Sequence, residues 1–135
     1  MNILTISSSA ILVLSSWLMP LSSTAAGNNT LYVVHSHFCP HCVKWLNEVY
    51  AKHKDLAKSF HKQELPNIVL KDAAKEADRA DVEKMITEHK IKPVSGVPAF
   101  IVLKDGVEKE GCRVTGYSND KEWFEKISDT IDKCQ

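Results

Sequence analysis

The sequence predicts an α/β domain in which a central mixed β-sheet is flanked by helices, in the order β-α-β-α-β-β-α. Three observations predict it. β-rich runs at residues 30–36 and 67–72 are each followed by a segment whose apolar residues recur at helical spacing. Two further β-rich runs flank Asp105-Gly106, a dipeptide suited to a tight hairpin because both central residues of such a turn take positive φ. Asn119 followed by Glu122 has the form of a capping box and opens a last amphipathic helix.

Each element has its own justification. "TLYVVHS" (Thr30 to Ser36) is rich in β-branched and aromatic residues and nearly continuous in its apolar part, as a strand buried on both faces requires. Pro40 then stands as a first-turn residue. From it Val43, Leu46, Val49 or Tyr50, His53, Ala57 and Phe60 follow at three- and four-residue intervals, which predicts one amphipathic helix running directly out of the strand. Pro66 precedes "NIVLKD", a second short strand. In "AAKEADRADVEKMITEHK" the residues Ala74, Ala77, Val82, Met85, Ile86 and His89 are loosely helical in spacing, so a second helix is predicted across it. Both crossovers are read as joining parallel strands. The hairpin lies within "SGVPAFIVLKDGVEKEGCRVTG", and Trp123, Ile127, Ile131 and Cys134 line one face of the closing helix, which must pack on the sheet.

With 135 residues, one core is comfortable and two would each be marginal, so a single domain is expected. Lys plus Arg equals Asp plus Glu at 17 each, which leaves no basic field to draw nucleic acid. No internal repeat or low-complexity tract is present, which excludes solenoids and disordered linkers. Residues 1–26 differ from the rest: they carry no charged side chain, and "AILVL" and "WLM" are followed by Pro20 and the small-residue run "SSTAA". This reads as a secretory signal peptide cut near Ala26, with residues 27–135 as the mature domain and a periplasmic destination. An uncleaved membrane anchor is the alternative, disfavoured by the serines and Pro20. Export bears on Cys39, Cys42, Cys112 and Cys134, because an oxidising compartment allows an even set of thiols to pair.

"FCPHC", "GVPAF" and the "DG" hairpin together resemble the thioredoxin superfamily, over essentially everything after residue 26. More narrowly, "CVKWLNEVY", "VPAFIVLKDGVE" and "RVTGYS" are similar to the periplasmic thioredoxins found with bacterial sulfur-oxidation systems. The resemblance implies the thioredoxin fold and a redox pair, Cys39 and Cys42, at the end of the first strand. It also implies that Pro98 is the cis-proline beside that pair, and that Val97 offers backbone groups to an extended substrate.

The chemistry suits these residues. Exchange with a disulfide requires a thiolate, and a sulfur at a helix N-terminus faces unpaired N–H groups and the positive end of the helix dipole. Cys39 is therefore the expected nucleophile and Cys42, one turn in, the resolving thiol. Pro40 starts the helix and His41 can add positive charge or a hydrogen bond. Many thioredoxins carry a buried acid six residues before the first cysteine; here that position is Val33, so His35, His37 and Glu48 are left as candidates for the proton step. Cys112 falls in the last strand and Cys134 on the apolar stripe of the helix that covers it, which favours a structural disulfide over two buried free thiols or a second exchange-active pair.

The activity expected is thiol:disulfide exchange without a cofactor. Clients would be proteins with disulfides or thiols, a membrane redox partner would reset the pair, and the chain would act as a monomer. Reduction of clients is the favoured direction. CPHC and Val97-Pro98 also resemble the bacterial periplasmic dithiol oxidase, whose large inserted helical domain this chain has no room for. The rival of another class is a copper- or zinc-binding module built on the same cysteines with His35, His37 and His41. No second CxxC or HxxxH tract completes such a site, and no metal is assigned. Covalent haem would need His where Val43 stands. His53, His61 and His89 carry no functional assignment.

Overall fold

The computed structural model describes residues 29–60 and 65–134. The signal peptide read at residues 1–26 lies outside the described residues. In chain order the elements are β1 (Asn29–His35), α1 (Pro40–Glu48), a 3₁₀ turn (Tyr50–Lys52), α2 (His53–Phe60), β2 (Asn67–Asp72), α3 (Glu76–Thr87), β3 (Ala99–Lys104), β4 (Val107–Thr115) and α4 (Asp120–Lys133). The sheet order is β2-β1-β3-β4.

β1 and β3 are central and alternate their side chains between two cores, as a pleated strand must. Leu31, Val33, Phe100 and Val102 face α1 and α4, where Trp45, Val49, Trp123, Phe124 and Ile127 complete one cluster. Trp45 and Trp123 each lie about one ring diameter from Phe100, at centroid distances of 5.0 and 5.3 Å in tilted and edge-on geometry. Tyr32, Val34, Ala99, Ile101 and Leu103 face the other way, onto Val82 of α3 and Ile91.

Three sequence expectations are corrected. Only the first crossover joins parallel strands: β1 is parallel to β2 but antiparallel to β3. The reason lies after α3, where the chain returns alongside β4 before entering β3. Glu108 donates its N–H to Lys90 O at 2.8 Å, and the Arg113 guanidinium donates to Lys92 O and Pro93 O at 2.8 Å each. Arg113 is itself held by the buried Glu108 carboxylate at 2.7 Å. β3 therefore begins at the end of the sheet where β1 finishes, with Ala99 opposite Val34.

The helix predicted from Pro40 to Phe60 is broken by the 3₁₀ turn. Val49 is the C-cap of α1, at φ −112°, and its side chain stays fully buried. β-branched residues tolerate a helix interior poorly, and a 3₁₀ turn lets one residue keep its core position while the chain changes phase. The carbonyl of Tyr50 at the break accepts a hydrogen bond from His53 Nδ1–H at 3.0 Å.

The second helix stops at Thr87 rather than running to Lys90. His89 takes φ +57°, the Lys90 N–H bonds Met85 O at 2.9 Å and the His89 N–H bonds Ile86 O at 3.0 Å. That pair of bonds is a Schellman termination, made here without the usual glycine. At the hairpin, Asp105 and Gly106 take φ values of +53° and +80°. In α4, Asn119 Oδ1 accepts the Glu122 N–H at 2.9 Å, and Phe124, absent from the predicted stripe, is fully buried beside Trp123.

Candidate active site

The chain leaves β1 at His35 and must turn sharply to start α1 at Pro40. Ser36 makes the turn: its carbonyl accepts the Cys39 N–H at 3.0 Å and its Oγ accepts the Phe38 N–H at 3.2 Å. Cys39 thereby becomes the N-cap of α1, with extended backbone, and Pro40 occupies the first helical turn, where a missing N–H costs nothing.

The Cys39 sulfur does what a capping oxygen does elsewhere. It accepts the backbone N–H of Cys42 at 3.3 Å. On its other side lies Val97 O, 3.9 Å away and within reach of the S–H. The Val97–Pro98 peptide is cis, Pro98 is buried, and its carbonyl is tied to the Gly116 N–H at 2.8 Å, so the loop before β3 is fixed against the end of β4. Cys39 and Cys42 are free thiols of unequal access. Cys39 is partly exposed; Cys42 is wholly buried. Burial, reinforced by the hydrogen bond with Cys39, pushes the Cys42 thiol up to about 12, so it is protonated at neutral pH.

The other residues singled out in the sequence are placed as follows. His41 is exposed and donates no hydrogen bond to Cys39. His35 closes β1 and is buried; burial lowers its pKa, and its Nδ1 has no partner among the described residues. Glu48 is engaged elsewhere, accepting the Tyr117 hydroxyl at 2.5 Å. His37 lies beyond the strand, in the turn, with Nδ1 2.7 Å from Asp72 Oδ2. Val33 is fully buried in the aromatic core. Among the described residues no group of three or more His, Cys, Asp or Glu is close enough together to hold a metal ion. Cys112 and Cys134 are joined, S–S 2.06 Å with Cα atoms 5.9 Å apart, tying β4 to the end of α4.

No protein-family model and no curated protein matches the sequence. Solved structures do match in three dimensions. The periplasmic thioredoxin SoxS of Paracoccus pantotrophus, in its reduced form, superposes with a TM-score of 0.55 at 14% identity, over 79% of this chain and 99% of its own. Thioredoxin f from spinach chloroplast gives 0.50 at 20% identity, over 78% and 80%. The chain has the thioredoxin fold. A four-stranded mixed sheet flanked by helices carries that fold here, with Cys39 and Cys42 at the β1–α1 junction.

Within the thioredoxin fold the site also contains residues that sequence reasoning passed over. Phe38 precedes Cys39 and is 79% exposed, an apolar surface next in sequence to the Cys39 sulfur. Asp72, the last residue of β2, is buried at the same end of the sheet and carries the His37 hydrogen bond. The signal for Phe38 was available, since an aromatic residue after a strand and before a helix start has no core to enter. That for Asp72 was not, because it depends on the pairing of His35 with Asp72 across two strands far apart in sequence.

Proposed function

We propose that the protein is an exported thiol:disulfide oxidoreductase that reduces disulfides of client proteins by cycling Cys39 and Cys42 between dithiol and disulfide. The observation that carries this reading is the asymmetry of the pair at the helix start. A partly exposed sulfur receives an N–H at 3.3 Å, while its partner one turn in is buried and protonated. Such a pair divides the labour of exchange: the outer sulfur attacks, the inner one resolves.

In this mechanism Cys39 attacks one sulfur of a client disulfide, forming a mixed disulfide and releasing the other sulfur as a thiolate. Val97 O and the neighbouring backbone, fixed by Pro98, receive the client chain, and Phe38 supplies apolar contact. Cys42 then attacks Cys39 Sγ, the client leaves as a dithiol, and a Cys39–Cys42 disulfide remains. Two electrons pass from protein to client. A membrane redox partner restores the dithiol, and no cofactor is required.

Two considerations support reduction over oxidation. A strongly oxidising pair owes its potential to a stabilised reduced form. Here the Cys39 sulfur accepts one N–H, and the imidazole of His41 is turned to solvent. The second is the likeness to a periplasmic thioredoxin, which, with the uncharged segment at residues 1–26, also supports a periplasmic location and cleavage near Ala26.

Replacing Cys42 with Ser tests the reading. Attack by Cys39 would proceed and resolution would not, so the Cys42→Ser protein accumulates mixed disulfides with client proteins, visible on non-reducing gels and released by dithiothreitol. A variant that traps nothing, while the parent binds copper or zinc stoichiometrically, would make the protein a metal-handling module instead.

A further inference from the structure

Resting on the reading above, capture of a client chain needs two groups from different elements to stay in register. One is the Cys39 sulfur at the start of α1; the other is Val97 O in the loop before β3, 58 residues on in sequence and 3.9 Å away. Beneath α1 the packing is apolar, with Trp45 and Val49 seating the helix on the sheet. Burial of apolar surface is non-directional, so it fixes the layer of a helix better than its position along its own axis. Hydrogen bonds weaken steeply with angle and fix position.

Polar side chains of α1 reach the segment that leaves β4. The Tyr117 hydroxyl donates to Glu48 Oε2 at 2.5 Å, and Lys44 Nζ donates to Ser118 O at 2.8 Å. Lys44 and Glu48, one turn apart, share a face of α1, and Lys44 Nζ lies 5.9 Å from the centre of the Tyr117 ring. Before Tyr117 stands Gly116, whose N–H donates to Pro98 O at 2.8 Å and whose φ of +92° would strain any side chain. Pro98 follows Val97 in the chain. A closed path therefore runs from Cys39 along α1 to Glu48, across to Tyr117, through Gly116 to Pro98, and back by Val97 O to the Cys39 sulfur.

We propose that Tyr117, through its bond to Glu48, is a positioning residue for client capture, holding α1 where the Cys39 sulfur stays opposite Val97 O. Tyr117 is buried in the core cluster beside Trp123, so its hydroxyl must find its partner within the protein. Burial, and after it the bond to Glu48, raise the Tyr117 pKa above its ordinary value, so the phenol remains a donor at neutral pH. A hydrogen bond to a carboxylate is also stronger than one between neutral groups. Neighbouring ion pairs do not supply the link. Lys44 and Glu48 approach only to 4.0 Å, both half-exposed, and Lys126 pairs with Glu122 at 2.6 Å inside α4.

The thiol itself is independent of this link. The N–H that the Cys39 sulfur accepts belongs to Cys42 of the same helix, so a displacement of α1 carries sulfur and donor together. What changes is the place of the sulfur relative to Val97 O. Loss of the Tyr117–Glu48 bond should therefore show with a client whose backbone lies along that loop, and not in the reactivity of Cys39 towards a small reagent.

The test compares two disulfides. Reduced protein is mixed with insulin, whose chains can lie along the Val97 backbone, or with hydroxyethyl disulfide, which has no backbone to place. Formation of the Cys39–Cys42 disulfide is followed by acid quench and mass spectrometry. In Tyr117→Phe the rate constant for insulin should fall by about threefold to thirtyfold relative to that for hydroxyethyl disulfide, less than the roughly hundredfold that a full ångström of misplacement can cost. Alkylation of Cys39 by iodoacetamide should keep its parental pH profile. Glu48→Gln, whose amide oxygen still accepts the hydroxyl, should keep most of the parental ratio of the two rate constants. Glu48→Ala should lose as much of it as Tyr117→Phe, and the two combined should lose no more, because both remove one bond. A parental ratio in Tyr117→Phe, an equal loss with both disulfides, a shifted alkylation profile or additive losses in the double variant would overturn the proposal. Should Tyr117→Phe fail to fold, Glu48→Ala decides, and a parental ratio there overturns it. A parent that reduces neither disulfide would instead defeat the oxidoreductase reading itself.

Discussion

At the scale of single residues, the site is a set of contrasts made by burial. Cys39 and Cys42 are chemically identical and three positions apart, yet one caps a helix at the surface and the other lies inside. The consequence is measurable by alkylation. Because the Cys42 thiol is pushed up to about 12 by burial, iodoacetamide at neutral pH should add once, at Cys39, and peptide mapping should find Cys42 unmodified in the native protein. Two adducts of comparable yield would contradict the assignment of roles. The contrast between Cys39 and Cys42 was legible in the sequence, since Pro40 and the apolar run before His35 fix where the helix starts. The Asp72–His37 pair was not. Lys71-Asp72 reads as an ordinary polar end to a short strand, and only the register that sets Asp72 against His35 gives it a place at the site.

At the scale of elements, the predicted order held where local chemistry is strong and failed where tertiary context decides. Asp105-Gly106 and the Asn119 cap behave as their residue types dictate. The end of α3 does not announce itself, because His89 occupies the left-handed position that a glycine would have marked. Nor does the break at Val49, whose burial in the core outweighs the continuity of the helical pattern. The direction of β3 depended on the return segment beside β4, held by the Arg113–Glu108 pair, which no periodicity encodes. One cross-link joins elements directly: Cys112 of β4 to Cys134 at the end of α4, 22 residues apart. On the chain-entropy model, closing a loop of that length stabilises the fold by about 3 kcal/mol. The Cys112→Ser, Cys134→Ser double variant should therefore unfold at lower urea with its stability reduced by about that amount, while leaving glutathione exchange at Cys39 in place. Loss of exchange in the folded double variant would mean that this second pair takes part in the chemistry.

At the scale of the whole molecule, four features meet at one end of a four-stranded sheet: the end of β1, the end of β2, the cis Val97–Pro98 loop before β3 and the start of α1. Topology, not sequence proximity, assembles them. Cys39 and Val97 are 58 residues apart, and His37 and Asp72 are 35 apart. The aromatic cluster of Trp45, Phe100, Trp123 and Phe124 holds α1 and α4 on one face of that sheet, so the helix that the Cys39 sulfur caps is seated on the core. If this assembly is a reducing centre, as proposed, its reduction potential is the most direct test. Equilibration of the purified protein with defined thiol–disulfide buffers should show a reversible two-electron couple at Cys39 and Cys42 near the thioredoxin value of about −270 mV. A couple near about −120 mV, the range of a strong dithiol oxidant, or no disulfide between these two cysteines at any poise, would contradict it.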